Sequence, residues 1–398
     1  MISYQEAYKL TIQNIQPMPA ESVTLLEATG RVAAEDLRAR VDAPTVNVSL
    51  KDGYAVHPED IAQATADSPV RLTLLGTVAA GGAWQAEIGR GQTVRILSGA
   101  PVPEQLGSVL TEEFTSREGD TVLAFTHAAA GRNILLKGSD VHKGEVLAKA
   151  GETLRPTLIG LLAAGGYEHV PVVRQPQVHI LATGDEVLAP GEPLLEGKLY
   201  ASNLVTLAAW CRRYGFAVQT QVVPDDAETI RDALHQHLSA GDALLTSGGA
   251  WKGERDLTVR LLDELGWQKT YHRVRIGPGK AIGFGMYQGK PVFCLPGGPP
   301  SNHMAFIQLA LPGLQKLAGF AQPGLPRQLA RLKAEVHGQI DWTQFIHGRM
   351  EQADQELRFH PILDASRLQM MAHTDAVLAI PEGVEKITAG EMVWVQML

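Results

Sequence analysis

Cysteine is nearly absent. The 398-residue chain holds two, Cys211 and Cys294, far apart and in neither CxxC nor Cys/His zinc spacing, which excludes a disulfide framework and a structural zinc site and suits a reducing cytoplasm. No stretch approaches the ~18 consecutive apolar residues of a membrane-spanning helix, and the opening MISYQEAYKL lacks the basic start and apolar core of a secretory signal. A long basic run is missing too. Lys and Arg number 35 against 43 Asp and Glu, a formal charge of −8, so little is offered to neutralise a phosphate backbone. The 13 histidines form no HExxH, and neither GxxxxGK(S/T) nor a strand-linked GxGxxG occurs. These absences point to a soluble cytoplasmic protein without nucleic-acid or membrane partners. What is present, 45% hydrophobic and 20% charged residues, excludes disordered and collagen-like classes. At roughly 100–200 residues per domain the length allows two to four domains.

The patterning changes along the chain. Ser3 with Glu6 three residues later is a capping box, and Ala7, Leu10 and Ile15 share a face, so a helix is expected to open the chain and to end before Pro17. Residues 44–130 turn to short β-rich runs (VRLTLLGTV, TVRILSG, TVLAF) broken by Gly and Pro, the texture of a separate all-β module. A helical pattern returns in TLIGLLAAGG near Pro156 and is expected to pack back on the first helix. Residues 1–43 and 131–174 then form one discontinuous domain that encloses the module as an insertion. From 175 to 322 strand-like and helix-like periods alternate: QVHILAT, AVQTQVV, DALLTSGG and KPVFCLPGG each precede a helical run. The run after Pro224 carries a second capping box, Asp225 to Glu228. Such βα repetition specifies a doubly wound, mostly parallel sheet covered by helices on both faces. Residues 323–398 return to short strands and read as a small β-barrel.

In an open parallel sheet, ligands collect beyond the carboxyl ends of the strands. The loops there are Thr183-Gly184-Asp185-Glu186, Pro224-Asp225-Asp226, Ser247-Gly248-Gly249 running on to Lys252, and Pro296-Gly297-Gly298 leading to Ser301. Two glycine pairs on one rim let backbone N–H groups approach an anion at helix starts. Asp185, Glu186, Asp225, Asp226 and Asp256 would bring negative charge beside that anion unless a hard cation such as Mg²⁺ lies between them. Asp225 and Asp256 are equally well read as helix-start residues. Lys280 is either an oxyanion partner or a solvated loop lysine, and Trp251 either stacks on a flat ring or caps the core. His235 and His237 read as a solvated helix face.

Taken in order, Lys51-Asp52-Gly53-Tyr54-Ala55-Val56, Ser98-Gly99-Ala100-Pro101, Gly138-Ser139-Asp140, Thr183-Gly184-Asp185-Glu186, Ser202-Asn203, Pro224-Asp225-Asp226, Ser247-Gly248-Gly249, Pro278-Gly279-Lys280 and Leu295-Pro296-Gly297 resemble the molybdopterin molybdenumtransferases, the bacterial MoeA enzymes and the E domain of gephyrin. The likeness runs over essentially the whole chain. It implies an L-shaped subunit in which the discontinuous domain dimerises, the α/β domain binds molybdopterin, and the active cleft of a homodimer lies between the α/β domain of one subunit and the DGYA-bearing region of the other. It implies insertion of molybdate, or tungstate, into adenylyl-molybdopterin with Mg²⁺ and release of AMP. A molybdopterin adenylyltransferase would be the substrate donor. On the same mapping Asp52, Lys280 and Asp140 are catalytic, and Glu186, Asp226 and Asp256 hold metal. Lys51, Ser98, Thr183, Gly184, Asp185, Ser247, Gly248, Gly249, Pro296, Gly297 and Ser301 bind substrate.

Departures from the family pattern stand beside the matches. Lys51 replaces the usual Met before DGYA. Gly277 replaces a common basic residue before PGK, Gly298 the Asn of PGNP, Ala201 an Asp before Ser202-Asn203, and Leu135 an Arg after Gly-x-Asn-Ile. SGG-AWKG stands for SGG-VSVG, and Phe345-Ile346-His347-Gly348-Arg349 leaves the position of a carboxyl-terminal Arg open. Two readings follow. Lys51 and Lys252 make up for the lost charge, or the chain is a paralogue that binds a pterin or a protein, as the gephyrin branch docks peptides, without catalysing insertion.

Overall fold

The computed structural model describes residues 1–248, 257–353, 356–362 and 367–398, Arg367 by its backbone only. Gly249, Trp251, Lys252 and Asp256 lie outside the described residues. The first helix, Tyr4–Asn14, starts where the Ser3 hydroxyl accepts the Glu6 N–H at 3.1 Å. Its buried face, Ala7 and Thr11 with Ile15 beyond its end, packs into the α/β core against Leu311 and Leu314. The helix Pro156–Ala164, expected to pack on the first, buries its apolar residues elsewhere. Its Ile159 and Leu162 fill a separate cluster with Leu37, Leu154, Val170 and Val172. Two antiparallel pairings draw that cluster together, Ala20–Thr24 with His169–Val173 and Leu37–Arg38 with Val146–Ala148. The chain therefore leaves for the β-rich run and returns from it on neighbouring strands.

That run builds a six-stranded sheet in the order Ser108–Thr111, Gly53–Val56, Gln92–Ile96, Val70–Val78, Thr121–Ala124, Thr115–Glu118. Side chains alternate across its pleat, so Tyr54 and Val56 face one apolar cluster and Ala55, Val94 and Ile96 another. Gly53 has no room for a Cβ, which would collide with the Leu110 carbonyl; this close approach explains the glycine of the DGYA string.

In the α/β region four parallel strands run in the order Ala217–Val223, Gln177–Thr183, Ala243–Ser247, Lys290–Leu295. Leu181, Leu244 and Val292 point to the helices Ala227–Ala240 and Leu257–Glu264. Ile180, Leu245 and Phe293 point to Ser202–Arg213 and the helical run from Pro299 to Leu317. Helices therefore cover both faces. The far edge is antiparallel: Gly283–Tyr287 and Lys290–Leu295 form a hairpin, and Gln268–His272 adds outside it. The hairpin turn holds Gln288 at φ 48° and Gly289 at φ 81°, the left-handed pair that suits the right-handed twist of the flanking strands.

The last module closes. Thr343–Ala353, Glu356–Pro361, Arg327–Leu332, Met392–Met397 and Ala376–Ile380 follow one another, and the fifth pairs back with the first. Leu332, Phe359, Leu378 and Val395 fill the small barrel. One more pairing ties it to the α/β module: Ile276–Gly277 runs parallel to Thr343–Gln344.

Candidate functional site

The carboxyl ends of the parallel strands open into a cleft of about 750 Å³. Thr183, Gly184, Glu186 and Gly248 line one side of it, and Pro296, Gly297, Ser301 and Lys280 the other. A second hollow of about 820 Å³ shares Thr183, Glu186, Gly248 and Gly297 with the first and extends over Tyr200, Ser202 and Asn203. The two form one trench across the strand ends. Gly248 holds φ +101°, and a Cβ there would stand 2.5 Å from the Thr183 carbonyl oxygen. Only glycine takes this turn without strain. The Thr183 hydroxyl is buried without a partner among the described residues.

Two amides missed in the sequence shape the floor. Asn302 Nδ2 donates to Ser247 Oγ at 3.0 Å and to the Pro296 carbonyl at 2.9 Å. Asn203 Nδ2 donates to the Gly297 carbonyl at 2.7 Å and to Ser247 Oγ at 3.3 Å. The Ser247 hydroxyl is thus held from both sides and joins the two glycine loops. Asn203 follows Ser202 in a matched string and Asn302 follows Ser301, but only the fold sets both amides against one serine.

The acidic residues separate. Glu186 and Asp225 line the cleft. Asp185 Oδ1 accepts the Asp225 N–H at 3.0 Å and so ties two loops together. Asp226, not Asp225, caps the helix Ala227–Ala240: its Oδ2 accepts the Thr229 N–H at 2.8 Å and hydroxyl at 2.7 Å. Those bonds hold the Asp226 carboxyl below the usual carboxylate range, as hydrogen bonds to the charged form do. The Asp225–Glu228 capping box is therefore displaced by one residue, and Asp226, expected to hold metal, caps a helix with its Oδ2 and does not line the cleft. Among the described residues no group of three or more His, Cys, Asp or Glu is arranged to hold a metal ion. One or two carboxylates beside substrate phosphates are what Mg²⁺ commonly uses, and the cleft offers Glu186 and Asp225 for that.

Lys280 also lines the cleft, its Nζ 5.9 Å from the centroid of the Trp342 ring. Gln339, Trp342 and Gln344 complete this wall from the barrel side. Sequence reasoning missed all three, because nothing local marks a barrel strand as the neighbour of the Pro278-Gly279-Lys280 turn. The remaining candidates lie in the β-rich module and, for Asp140, in the segment that returns from it. Asp52 Oδ1 accepts the Ser98 N–H at 2.6 Å, which brings those two together. Lys51 is exposed beside them, and Asp140 is exposed with its N–H on the Ala43 carbonyl at 3.0 Å. None of Lys51, Asp52, Ser98 and Asp140 lines the cleft of its own chain. Two departures have a local consequence: Ala201 and Gly298 stand at the N-caps of Ser202–Arg213 and Pro299–Ala305, and neither supplies a capping side chain.

The chain matches family models along most of its length: the MoeA N-terminal region (domain I and II) over residues 2–166, a probable molybdopterin binding domain over 179–316, and the MoeA C-terminal region (domain IV) over 329–398. It is 30% identical to molybdopterin molybdenumtransferase 2 of Mycobacterium tuberculosis, with 98% of each chain covered. It is 29% identical to the molybdopterin molybdenumtransferase of Haemophilus influenzae, covering 100% of this chain and 98% of that one. The crystal structure of the molybdopterin biosynthesis MoeA protein from Pyrococcus horikosii superposes with a TM-score of 0.86 at 32% identity, over 100% of this chain and 99% of that chain.

Proposed function

The chain belongs to the molybdopterin molybdenumtransferase (MoeA) family, and from that premise we propose that it inserts molybdate into adenylyl-molybdopterin and releases AMP. One observation carries the reading: two adjoining hollows at the strand ends share the glycine loops of Gly248 and Gly297, and Lys280 lines one of them. Water cleaves the phosphoanhydride between the pterin phosphate and AMP, and the two dithiolene sulfurs take up the metal as an oxo group leaves as water. Gly184 and Gly248 spend their N–H groups on the Val223 and Leu295 carbonyls, both at 3.3 Å, and serve by leaving room, whereas the Gly297 loop offers backbone to the phosphates, close approach being allowed by the missing Cβ. Lys280 holds the incoming oxyanion. When bound beside Glu186 and the substrate phosphates, Mg²⁺ would neutralise charge on the leaving AMP. A homodimer would bring Asp52, Ser98 and Lys51 of the β-rich module, and Asp140 of the segment that follows it, against this cleft from the partner, which accounts for their absence from its lining in one chain. Substrate comes from an adenylyltransferase acting earlier in the cytoplasm.

The test is turnover of adenylyl-molybdopterin with Mg²⁺ and either molybdate or tungstate. AMP release that depends on the oxyanion and disappears in Asp52→Ala is expected, and the preferred oxyanion names the metal. Tight pterin binding with no AMP from either oxyanion would replace this reading with that of a pterin-binding paralogue, the one that the loss of a basic residue at Gly277 favours.

A further inference from the structure

Gly277 and Gln344 stand opposite each other in the parallel ladder between Ile276–Gly277 and Thr343–Gln344. Both line the cleft that holds Lys280. A Cβ built on Gly277 would lie 2.8, 2.9 and 3.1 Å from the Oε1, Nε2 and Cδ atoms of Gln344. The whole carboxamide therefore fills the volume that any side chain at 277 would need. It is half-buried and has no side-chain hydrogen-bond partner among the described residues. A polar group partly withdrawn from water and unpaired within the chain is placed to pair with a ligand. Its position is not left to the hinge between two modules, because the ladder, the Thr343 N–H to Arg275 carbonyl bond at 3.1 Å and the Arg275–Glu382 ion pair at 3.1 Å hold the barrel strand in register beside the cleft.

Resting on the insertase reading, we propose that Gln344 is a specificity-determining contact for the oxyanion substrate, and that Gly277 is glycine to admit it. The Gln344 Nε2–H donates to one oxygen of the tetrahedral dianion while Lys280 supplies the positive charge. Glu186 and Asp225 bring negative charge to the same cleft. A neutral donor from the barrel strengthens oxyanion binding there without a second cation, and it makes the carboxyl-terminal module part of the substrate site.

The full-length protein is titrated with molybdate alone by calorimetry, and oxyanion-dependent AMP release is measured in parallel. The variants are Gln344→Ala, Gln344→Glu, Gly277→Ala and the double G277A/Q344A, with Gln352→Ala on the exposed end of the same strand as control. Gln344→Ala is expected to raise the molybdate Kd and KM about tenfold, the loss of one hydrogen bond to a charged group, while kcat and the KM for the pterin stay as in wild type. Gln344→Glu should weaken binding further, because its carboxylate accepts only and repels a dianion. Gly277→Ala should match Gln344→Ala, and the double variant should be no worse than either single, since the added methyl group has already displaced the amide. Wild-type molybdate affinity in both Gln344 variants would overturn the proposal, and so would a shift in the pterin KM as large as that for the oxyanion. If wild type releases no AMP yet binds molybdate, and Gln344→Ala weakens that binding, the insertase reading falls while the Gln344 contact stands. A wild type that binds no oxyanion by either readout overturns both.

Discussion

Acid should destabilise this protein through a pair of stacked histidines between the α/β module and the barrel. His303 and His347 are 5% and 4% exposed, their ring centroids 6.2 Å apart. His303 Nδ1 and His347 Nε2 are buried without partners among the described residues. Burial lowers both pKa values to about 4, and for His303 the neighbouring His347 adds to the effect. In the unfolded chain each ring titrates near its ordinary value of about 6.5. The folded state therefore binds fewer protons between those values. The stability that the neutral rings contribute is present in full above about pH 6.5 and is lost as pH falls toward 4. At pH 5 the unfolded state gains ~2 kcal/mol per ring over its position at neutral pH. Two rings give roughly 4 kcal/mol, on the order of 10 °C in Tm for a module of ~150–250 residues. The assay is thermal unfolding of wild type and the double variant H303L/H347L at pH 7.5 and 5.0. Wild type should lose on the order of 10 °C more than the variant between the two conditions. His179 and His237, whose pKa values burial also lowers, should leave the variant some acid dependence. Equal losses in the two proteins would refute the assignment of acid lability to this pair.

Two further outcomes test the site. Gly248→Ala forces a side chain into a left-handed turn against the Thr183 carbonyl, at a cost of about 1–3 kcal/mol; pterin affinity, followed by fluorescence titration, should collapse while the far-UV spectrum is retained. Asp226→Ala removes a helix cap and Glu186→Ala a cleft carboxylate. The first should lower Tm and leave the Mg²⁺ dependence of AMP release intact, whereas the second should change that dependence with little effect on Tm. The reverse pattern would return the metal role to Asp226.

Much of the architecture could be read locally. The strand Gln177–Thr183, a short apolar run buried on both faces, and the helix Pro156–Ala164, opened by its proline, follow from residues within each segment. The loop strings at the strand ends were legible for the same reason, since a glycine turn is set by the residues within it. Failures occurred where the deciding contact came from elsewhere. His237, on a helix face whose pattern predicts solvation, is 1% exposed, its Nδ1 2.8 Å from Nδ1 of His179 on the neighbouring strand. The helix cap moved from Asp225 to Asp226 because Asp185 takes the Asp225 N–H and sets how the chain enters the helix.

The sequence by itself determined the succession of modules, the rim on which the chemistry-bearing loops gather, and the motif strings that mark the family. Tertiary structure alone decided which polar groups share the cleft: two asparagines converging on Ser247, and a glutamine from the barrel over Gly277. Turns and amphipathic faces are fixed by neighbours a few residues apart. A cleft wall depends on pairing between segments distant in the chain, and nothing near Gln344 in the sequence records that Ile276–Gly277 will lie beside it.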